Sequence, residues 1–413
     1  MGLTIAEKIL SAHTAETARA GQFIVAQVDA VMASDTTAPM AIKAFEAMGA
    51  EQVWDPAHCY FVIDHAAPAP NERIAGLHSM MRAFAKTHGL PLYDAGTGIC
   101  HQLMVEKRHV EPGMLFVGAD SHTCTYGSVT AFATGVGSTD LAAVMATGQI
   151  WMRVPQSIKI WVDGILAPGV TAKDLTLAIV GRIGISGATY HALEFAGPAI
   201  ETLSLSSRMT LANMAIEMGA KAGIVHPNGL SRPGADLDAL RPDPDATYLR
   251  TVEFDASRLR PQVSRPHMPD AVVDIQDVVG TEVQMAFIGT CVNGRLEDLH
   301  AAARVLEGQH VAPTVRLMIA PASREVFLQA MMDGTAQTLT CAGATFLPSG
   351  CGPCVGTHNG VPGPAETVIS TGNRNFRGRM GNPNANVYLA SPSTVAASAL
   401  AGRIVPHQIQ GGR

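Results

Sequence analysis

Charged residues are scarce in this sequence. Asp, Glu, Lys and Arg make up 15% of its 413 positions, and the 35 acidic residues outnumber the 29 basic ones, which gives a formal net charge of -6. No run of Lys or Arg is longer than two residues. Because nucleic-acid-binding proteins carry clustered basic residues, we expect no nucleic-acid partner. A small anionic ligand would need a local basic pocket.

Long apolar runs are also missing. No segment approaches the roughly 18 consecutive apolar residues that cross a bilayer, and residues 1–10 lack the continuous apolar core of a signal peptide. We therefore expect no membrane partner and a cytoplasmic location. The seven cysteines are few for this length, and their number is odd. This count argues against a disulfide framework and favours thiols that bind metal or take part in catalysis.

Hydrophobic residues are abundant, at 47% of the chain. A chain of this length exceeds the limit of about 250–300 residues for a single hydrophobic core, so several domains are expected. Short apolar strands alternate with helical segments, a pattern typical of α/β sheets covered on both faces. We predict three α/β domains over residues 1–156, 157–277 and 278–413. The first contains a predicted buried strand over residues 23–28 and a polar turn over 33–37.

Three cysteines lie in loops suited to ligand binding. Cys351 and Cys354 form a Cys-x-x-Cys pair in a segment rich in Gly and Pro, and Cys291 lies between a predicted strand and a predicted helix. Three soft ligands suit zinc or an iron–sulfur cluster, whereas an isolated Cys-x-x-Cys pair can also be a redox dithiol. The residues alone leave these three alternatives open. The other four cysteines lie in apolar or tightly packed contexts and are predicted to pack in the core: Cys59, Cys100, Cys124 and Cys341.

Carboxylates and imidazoles follow two of the predicted strands. Asp64 and His65 come after one strand, and Asp120, Ser121 and His122 come after another. Open α/β sheets bind ligands at the carboxyl ends of their strands, and titratable pairs there can act as general acids and bases. Either pair alone is more often a hydrogen-bonded turn. Because the arrangement occurs twice, we favour catalysis.

Four further residues are candidates with ordinary alternatives. His101 by itself would be a satisfied interior histidine. Glu194 lies in an apolar run, where an unpaired carboxylate is costly, so it would otherwise form an ion pair between domains. Arg374 and Arg379 could hold a dicarboxylate bidentately. The alternative for the two arginines is a surface salt-bridge cluster.

Taken together, these motifs resemble the aconitase family, and most closely the large subunits of the 3-isopropylmalate dehydratase type. The resemblance covers nearly the whole chain in the family's order, at residues 64–65, 98–102, 118–123, 133–140, 194–197, 289–294, 351–354 and 373–379. It implies three α/β domains of the aconitase type around a [4Fe-4S] cluster. The implied cluster ligands are Cys291, Cys351 and Cys354, with one iron free of protein thiolate.

The activity implied by the resemblance is that of a hydro-lyase. Such an enzyme isomerises a 2-hydroxy dicarboxylate by dehydration and rehydration, and the leading expectation is conversion of 2-isopropylmalate to 3-isopropylmalate in leucine biosynthesis. The same chemistry on homoaconitate, 2,3-dimethylmalate, or maleate and citraconate is the alternative. A zinc or thiol-redox binding protein is the alternative from a different class.

The resemblance also assigns roles to single residues. His65 with Asp64 would assist departure of the substrate hydroxyl, and Ser121, Arg374 and Arg379 would bind substrate. The residues implied to orient and protonate water are His101, Asp120, His122 and Glu194. The family's mobile domain has no counterpart in the sequence, so a separate small subunit carrying that swivelling domain is the expected partner.

Overall fold

Short apolar strands and the helices between them form three sheets and one two-stranded ribbon. The structure is a computed structural model, and it describes residues 2–407. Most strands pair in parallel, as expected for strands connected by helices. No helix within the described range is long and apolar enough to cross a membrane.

The first unit is built on a five-stranded parallel sheet of order β4-β3-β2-β5-β6. Its elements, in chain order, are α1 (Ile5–Ala12), β1 (Phe23–Gln27), β2 (Ala30–Ser34), α2 (Ala38–Ala47), β3 (Cys59–Val62), α3 (Glu72–His88), β4 (Leu92–Tyr93), α4 (Cys100–Glu106), β5 (Leu115–Gly118), β6 (Phe132–Gly135), α5 (Ser138–Thr147) and β7 (Gln149–Arg153). Two short 3-10 helices, Pro56–His58 and Ser121–Val129, complete it.

The burial predicted for the strand over residues 23–28 was wrong. The segment is a strand, but it pairs antiparallel with β7 outside the main sheet, and Phe23 and Val25 are 73% and 60% exposed. The buried central strand is β2, whose last residues the sequence had assigned to a polar turn. Residues of β1 are mostly exposed, whereas all residues of β2 are buried. The two strands differ because β2 has a neighbouring strand on each side within the main sheet and β1 does not.

The second unit has a four-stranded parallel sheet of order β10-β9-β8-β11. Its elements are β8 (Ser157–Asp163), α6 (Ala172–Ile183), β9 (Ala192–Ala196), α7 (Pro198–Glu201), α8 (Leu205–Asn213), β10 (Ala222–Val225) and β11 (Arg250–Asp255), with 3-10 helices Met214–Met218 and Ala256–Arg258. Gly223 in β10 lies against the helix Ser121–Val129 of the first unit. A Cβ atom on Gly127 would lie 1.8 Å from the Gly223 carbonyl oxygen, so the two backbones are in direct contact.

The third unit has a seven-stranded mixed sheet of order β13-β12-β18-β17-β14-β15-β16. Its elements are β12 (Gln262–Ser264), β13 (Val272–Asp274), β14 (Met285–Ile288), α9 (Leu296–Leu306), β15 (Arg316–Ile319), α10 (Arg324–Met332), α11 (Thr335–Cys341), β16 (Thr345–Phe346), β17 (Thr367–Ser370), β18 (Asn386–Leu389) and α12 (Pro392–Ala401), with 3-10 helices Ile275–Asp277 and Gly352–Cys354. Because β12 and β13 precede residue 278 yet belong to this sheet, we propose that the third domain begins near residue 260.

Shared cores join the units around the loops that follow the strands. One hydrophobic cluster contains Tyr60 and Phe116 of the first unit together with Cys291 and Cys351 of the third. Another joins the second sheet to the third. The carboxyl ends of β3, β5 and β14 therefore open toward one common region, and that region holds the candidate site.

Candidate functional site

Asp35 fixes the position of the Asp64–His65 segment. Its carboxylate, just after β2, accepts hydrogen bonds from the backbone N–H groups of Asp64, His65 and Ala66 at 3.1, 2.8 and 2.8 Å, and it lies 3.2 Å from His78 Nε2. Although burial alone would raise it, these bonds and the nearby His65 hold the pKa of Asp35 well below its usual range. The ionised carboxylate therefore anchors the loop that presents His65.

Three imidazoles converge on Asp120. Its Oδ1 lies 2.8 Å from His101 Nε2 and 3.6 Å from His122 Nδ1, and its Oδ2 lies 3.4 Å from His65 Nε2. Burial would raise the pKa of Asp120, but the three imidazoles hold it well below its usual range. Asp120 is therefore an ionised centre between three proton carriers.

His65 is held between two carboxylates. Its Nδ1 lies 2.8 Å from Asp64 Oδ1, and its Nε2 faces Asp120. Burial would lower the pKa of His65, but the charges of Cys351, Asp64 and Asp120 raise it well above its usual value. The raised pKa favours the protonated imidazole, which is the form that acts as a general acid.

Glu217 belongs to this group, although it was not predicted from the sequence. Its Oε1 lies 2.8 Å from His122 Nε2, and its carboxylate accepts from Arg374 Nε at 2.8 and 2.9 Å. Burial opposes ionisation, yet His122 and Arg374 lower the pKa of Glu217. The available signal was a carboxylate between apolar neighbours in residues 214–218, the same criterion that selected Glu194.

The structure does not bring Glu194 to these imidazoles. Its carboxylate accepts from the backbone N–H groups of Ile5 and Ala6 in the first turn of α1, from Ser157 Oγ and from Tyr248 Oη, at distances of 2.8–3.3 Å. Burial raises its pKa. Within residues 2–407, none of its hydrogen bonds reaches a site imidazole or thiol. Glu194 therefore links the N-terminal helix α1 to the second sheet.

The three predicted ligand cysteines are buried and linked by shared contacts. Cys291, Cys351 and Cys354 are 4%, 6% and 6% exposed. Asn373 bridges two of them, with Nδ2 at 3.5 Å from Cys291 Sγ and Oδ1 at 3.7 Å from Cys354 Sγ. The backbone N–H of Cys351 donates to the Asp64 carbonyl at 2.9 Å, so the thiol loop and the acid–imidazole loop are joined.

These three thiols are better suited to bind a soft metal group than to pack as neutral core side chains. Burial raises the pKa of Cys291 and raises that of Cys351 to about 11, so ionisation here needs a compensating cation. The nitrogen donors already face the sulfurs: Asn213 Nδ2 lies 3.1 Å from Cys291 Sγ, and Arg379 Nη2 lies 3.9 Å from Cys354 Sγ. Donors of this kind stabilise metal-bound thiolates.

The remaining cysteines divide between core, site and surface. Cys59 and Cys124 are buried, as predicted, whereas Cys341 is exposed and its predicted packing was wrong. Cys100 is buried beside the site: its Sγ, a carboxylate oxygen of Asp64 and a ring nitrogen of His65 all lie within 4.8 Å of one another. Although its neighbour His101 was a predicted site residue, Cys100 itself was assigned to the core, because its contact with Asp64 depends on how α4 packs against β3.

The predicted substrate residues lie at the edge of the same centre. Ser121 Oγ is 3.5 Å from His122 Nδ1, and Ser121 is half-buried. The side chain of Arg374 is 20% exposed and is oriented by Glu217 through its Nε atom. Burial would lower the pKa of Arg379, but the thiols of Cys354 and Cys351 raise it. Two guanidinium groups therefore lie beside the carboxylate–imidazole pairs and the thiols.

Three thiols and a set of carboxylate–imidazole pairs meet at the carboxyl ends of the sheets. This arrangement defines the class of protein: an α/β enzyme in which acid–base groups face a set of soft metal ligands. The model of the Aconitase family (aconitate hydratase) matches residues 7–282 and 276–402. The chain belongs to this family.

Full-length relatives carry two kinds of name. The chain is 48% identical over 411 residues to "3-isopropylmalate dehydratase large subunit 1" of Methanopyrus kandleri, with 98% of each chain covered. It is 49% identical over 413 residues to "3-isopropylmalate dehydratase large subunit 2" of Archaeoglobus fulgidus, again with 98% of each covered. The "Homoaconitase large subunit" of Thermus thermophilus is 48% identical over 413 residues, with 99% of each covered.

Proposed function

We propose that this protein is the large subunit of a hydro-lyase that isomerises a 2-hydroxy dicarboxylate by dehydration and rehydration. One observation carries the proposal: three carboxylate–imidazole pairs meet a buried thiol triad at the carboxyl ends of two sheets. The pairs are His65 with Asp64, His101 with Asp120, and His122 with Glu217. Elimination and addition of water require the delivery and removal of protons at fixed positions, which is the chemistry such pairs perform.

His65 is our candidate for the proton donor to the departing hydroxyl. Asp64 binds Nδ1 and fixes the ring, and the raised pKa favours the protonated imidazole. His101 and His122, each held by a carboxylate, orient water for the return addition. Removal of the carbon-bound proton requires a base, which we assign to the small subunit.

The proposed cofactor is a [4Fe-4S] cluster held by Cys291, Cys351 and Cys354. When bound, such a cluster supplies a Lewis-acidic iron that is open to a substrate hydroxyl and carboxylate. The residues of this chain prepare the position: Asn213 and Asn373 orient Cys291, and Arg379 faces Cys354. The zinc and thiol-redox alternatives remain outcomes of the test described below.

The proposed substrate is 2-isopropylmalate, and homoaconitate is the second candidate. Both choices rest on the names of the relatives, which include dehydratases and homoaconitases at nearly equal identity. Arg374 and Arg379 can bind the two carboxylates that these substrates share. They do not distinguish an isopropyl group from a longer carboxylate arm, so we assign that choice to the small subunit.

The test is anaerobic reconstitution of the purified chain with iron and sulfide. We expect visible absorption and about four irons and four sulfides per chain. Substitution of Cys291, Cys351 or Cys354 by Ser should abolish this absorption. Cys341→Ser, at an exposed position in α11, is the matched control and should bind iron as the unmodified chain does.

Two results would contradict the proposed cofactor. A colourless chain that binds one zinc through the same three thiols would support a zinc protein. A reversible disulfide between Cys351 and Cys354, formed without any iron binding, would support a redox dithiol.

A further inference from the structure

Lys173 is a buried ammonium group that the proposed chemistry does not use. It is the second residue of α6 in the second unit and is only 1% exposed. Burial of a charge is costly, and a cation in the first turn of a helix faces the positive end of the helix dipole. Burial lowers the pKa of Lys173 to about 7. A residue retained against these costs requires a specific partner.

The partners of Lys173 are two backbone carbonyls in the third unit. Its Nζ donates to the Thr371 and Gly372 carbonyl oxygens at 2.8 and 2.6 Å. Among residues 2–407, no carboxylate forms an ion pair with it. Lys173 therefore clamps the loop that begins directly after β17, across the boundary between the second and third units.

Both ligand loops depend on the clamped residues. Thr371 Oγ1 accepts from the Gly289 N–H at 2.9 Å and lies 3.3 Å from the Asn293 carbonyl oxygen, so it holds both ends of the Cys291 loop. Gly372 is followed by Asn373, which contacts Cys291 and Cys354. The next residue is Arg374, which binds Glu217.

Electrostatics favour the same role. Burial opposes the protonated form of Lys173, whereas negative charge on Asp298, Cys354 and Cys291 favours it and the charge of Arg295 opposes it. Deprotonated cluster thiolates would thus stabilise the charge on Lys173, and that charge would stabilise the thiolates.

We propose that Lys173 is a positioning residue for the cluster site: its ammonium fixes the Thr371–Arg374 loop and offsets the negative charge of the thiolates. This inference rests on the proposed function, because it presupposes a cluster on the three cysteines. Lys173 touches neither substrate nor cysteine sulfur, so its effect must pass through Asn373, Arg374 and the local potential.

The experiment compares Lys173→Met, Lys173→Gln and Lys173→Arg in the reconstituted large subunit. Lys221→Met is the matched control, because Lys221 is a half-buried lysine that donates to the Gly135 carbonyl at 3.4 Å. Iron per chain, the half-life of the visible absorption in air and the midpoint potential of the cluster are measured, together with thermal unfolding of the cluster-free chains.

For Lys173→Met we expect cluster loss in air about 10-fold faster, the lower end of typical effects of residues behind a metal ligand. We also expect a more negative midpoint potential, because loss of a nearby positive charge disfavours reduction. Lys173→Gln should share the shift in potential. Lys173→Arg should keep the original potential because it keeps the charge, and Lys221→Met should match the unmodified chain in both readouts.

The outcomes separate this inference from the proposed function. If the unmodified chain binds no cluster, both the proposed cofactor and the role of Lys173 are refuted. If it binds a cluster and the Met and Gln variants keep its half-life and potential, only the role of Lys173 is refuted. Should the Met variant fail to fold, the Gln and Arg variants decide: equal potentials in these two would refute the electrostatic role. A purely structural role would lower the unfolding temperature without moving the potential.

Discussion

At the residue scale, the site depends on which carboxylate each imidazole meets. Asp64, Asp120 and Glu217 come from three separate loops or helices, and each is paired with a histidine at 2.8 Å. Asp35 acts on His65 mainly through the backbone: it accepts three N–H bonds from residues 64–66, whereas the His65 ring lies 3.9 Å from its carboxylate. Position in the network, rather than residue type, separates the candidate catalytic carboxylates from the structural ones.

Glu217 and Glu194 form a matched pair for testing this distinction. In the complex with a small subunit, Glu217→Gln should lower kcat by about 100-fold or more, since His122 loses its carboxylate and Arg374 its orienting partner. Cluster content should be unchanged. Glu194→Gln should leave kcat within about threefold but destabilise the chain by about 1–3 kcal/mol, because a buried hydrogen-bond acceptor is lost. Steady-state kinetics and urea unfolding measure the two effects.

Equal effects of the two substitutions on kcat would contradict the assignment. Full turnover by the Glu217→Gln variant, with the iron content of the unmodified chain, would also contradict the assignment of Glu217.

His226 gives the chain a pH-dependent stability. Burial, together with Lys159 and Arg208, lowers the pKa of His226 from 6.5 to about 4. The unfolded chain therefore binds a proton more readily, and this contribution to stability is lost as pH falls from about 6.5 to about 4. Between pH 7.5 and 5.5 the loss should be about 1 kcal/mol. Urea unfolding of the cluster-free chain at the two pH values measures it.

The His226→Gln variant should lack this component, because glutamine does not titrate. An identical pH dependence in both chains would contradict this, because it would show that the pKa of His226 is the same in the folded and the unfolded chain.

At the element scale, the close approach of the helix Ser121–Val129 to β10 places His122 beside Glu217. Glycine is required where these two backbones touch, since a Cβ on Gly127 would overlap the Gly223 carbonyl. Gly127→Ala should therefore destabilise the chain by about 3 kcal/mol, at the upper end of typical overpacking effects. The change is measured by urea unfolding.

Gly76 in α3 is the matched control for this substitution. No atom lies within 4 Å of a Cβ built there, so Gly76→Ala should stabilise the chain by about 0.5–1 kcal/mol through its higher helix propensity. Similar shifts in both variants would contradict the proposed steric cause.

Many elements could be predicted from local pattern. The strands predicted just before Asp64 and Asp120 are both present, because short apolar runs followed by polar residues define them locally. The exchange of roles between β1 and β2 could not be predicted, since both segments are apolar and only their neighbours decide which one enters the sheet.

At the scale of the whole molecule, the site is assembled between units. Asp64 and Asp120 come from the first unit, Glu217 and Asn213 from the second, and the cysteines from the third. No single sheet carries a complete set of groups. The arrangement therefore depends on the packing of all three units, as the contact between Gly127 and Gly223 illustrates.

The reconstituted chain alone should show negligible isomerase activity. The base that removes the carbon-bound proton is assigned to the small subunit, so addition of a cognate small subunit should restore turnover at least 100-fold, the range typical of one general base. Conversion of 2-isopropylmalate and of homoaconitate is followed with and without that subunit. Full turnover by this chain without any partner would refute the divided site.

The sequence by itself determined the alternation of strands and helices, the family resemblance and the three thiols that converge with the acid–imidazole motifs. These features are encoded in short segments, so local patterns reveal them. Only the tertiary structure showed that Glu217, rather than Glu194, meets His122, that Cys100 borders the site, and that Lys173 clamps the loop behind the thiols. The His122–Glu217 and Lys173–Thr371 pairings join residues 95 and 198 positions apart, and contacts of that span are set by how the sheets pack together.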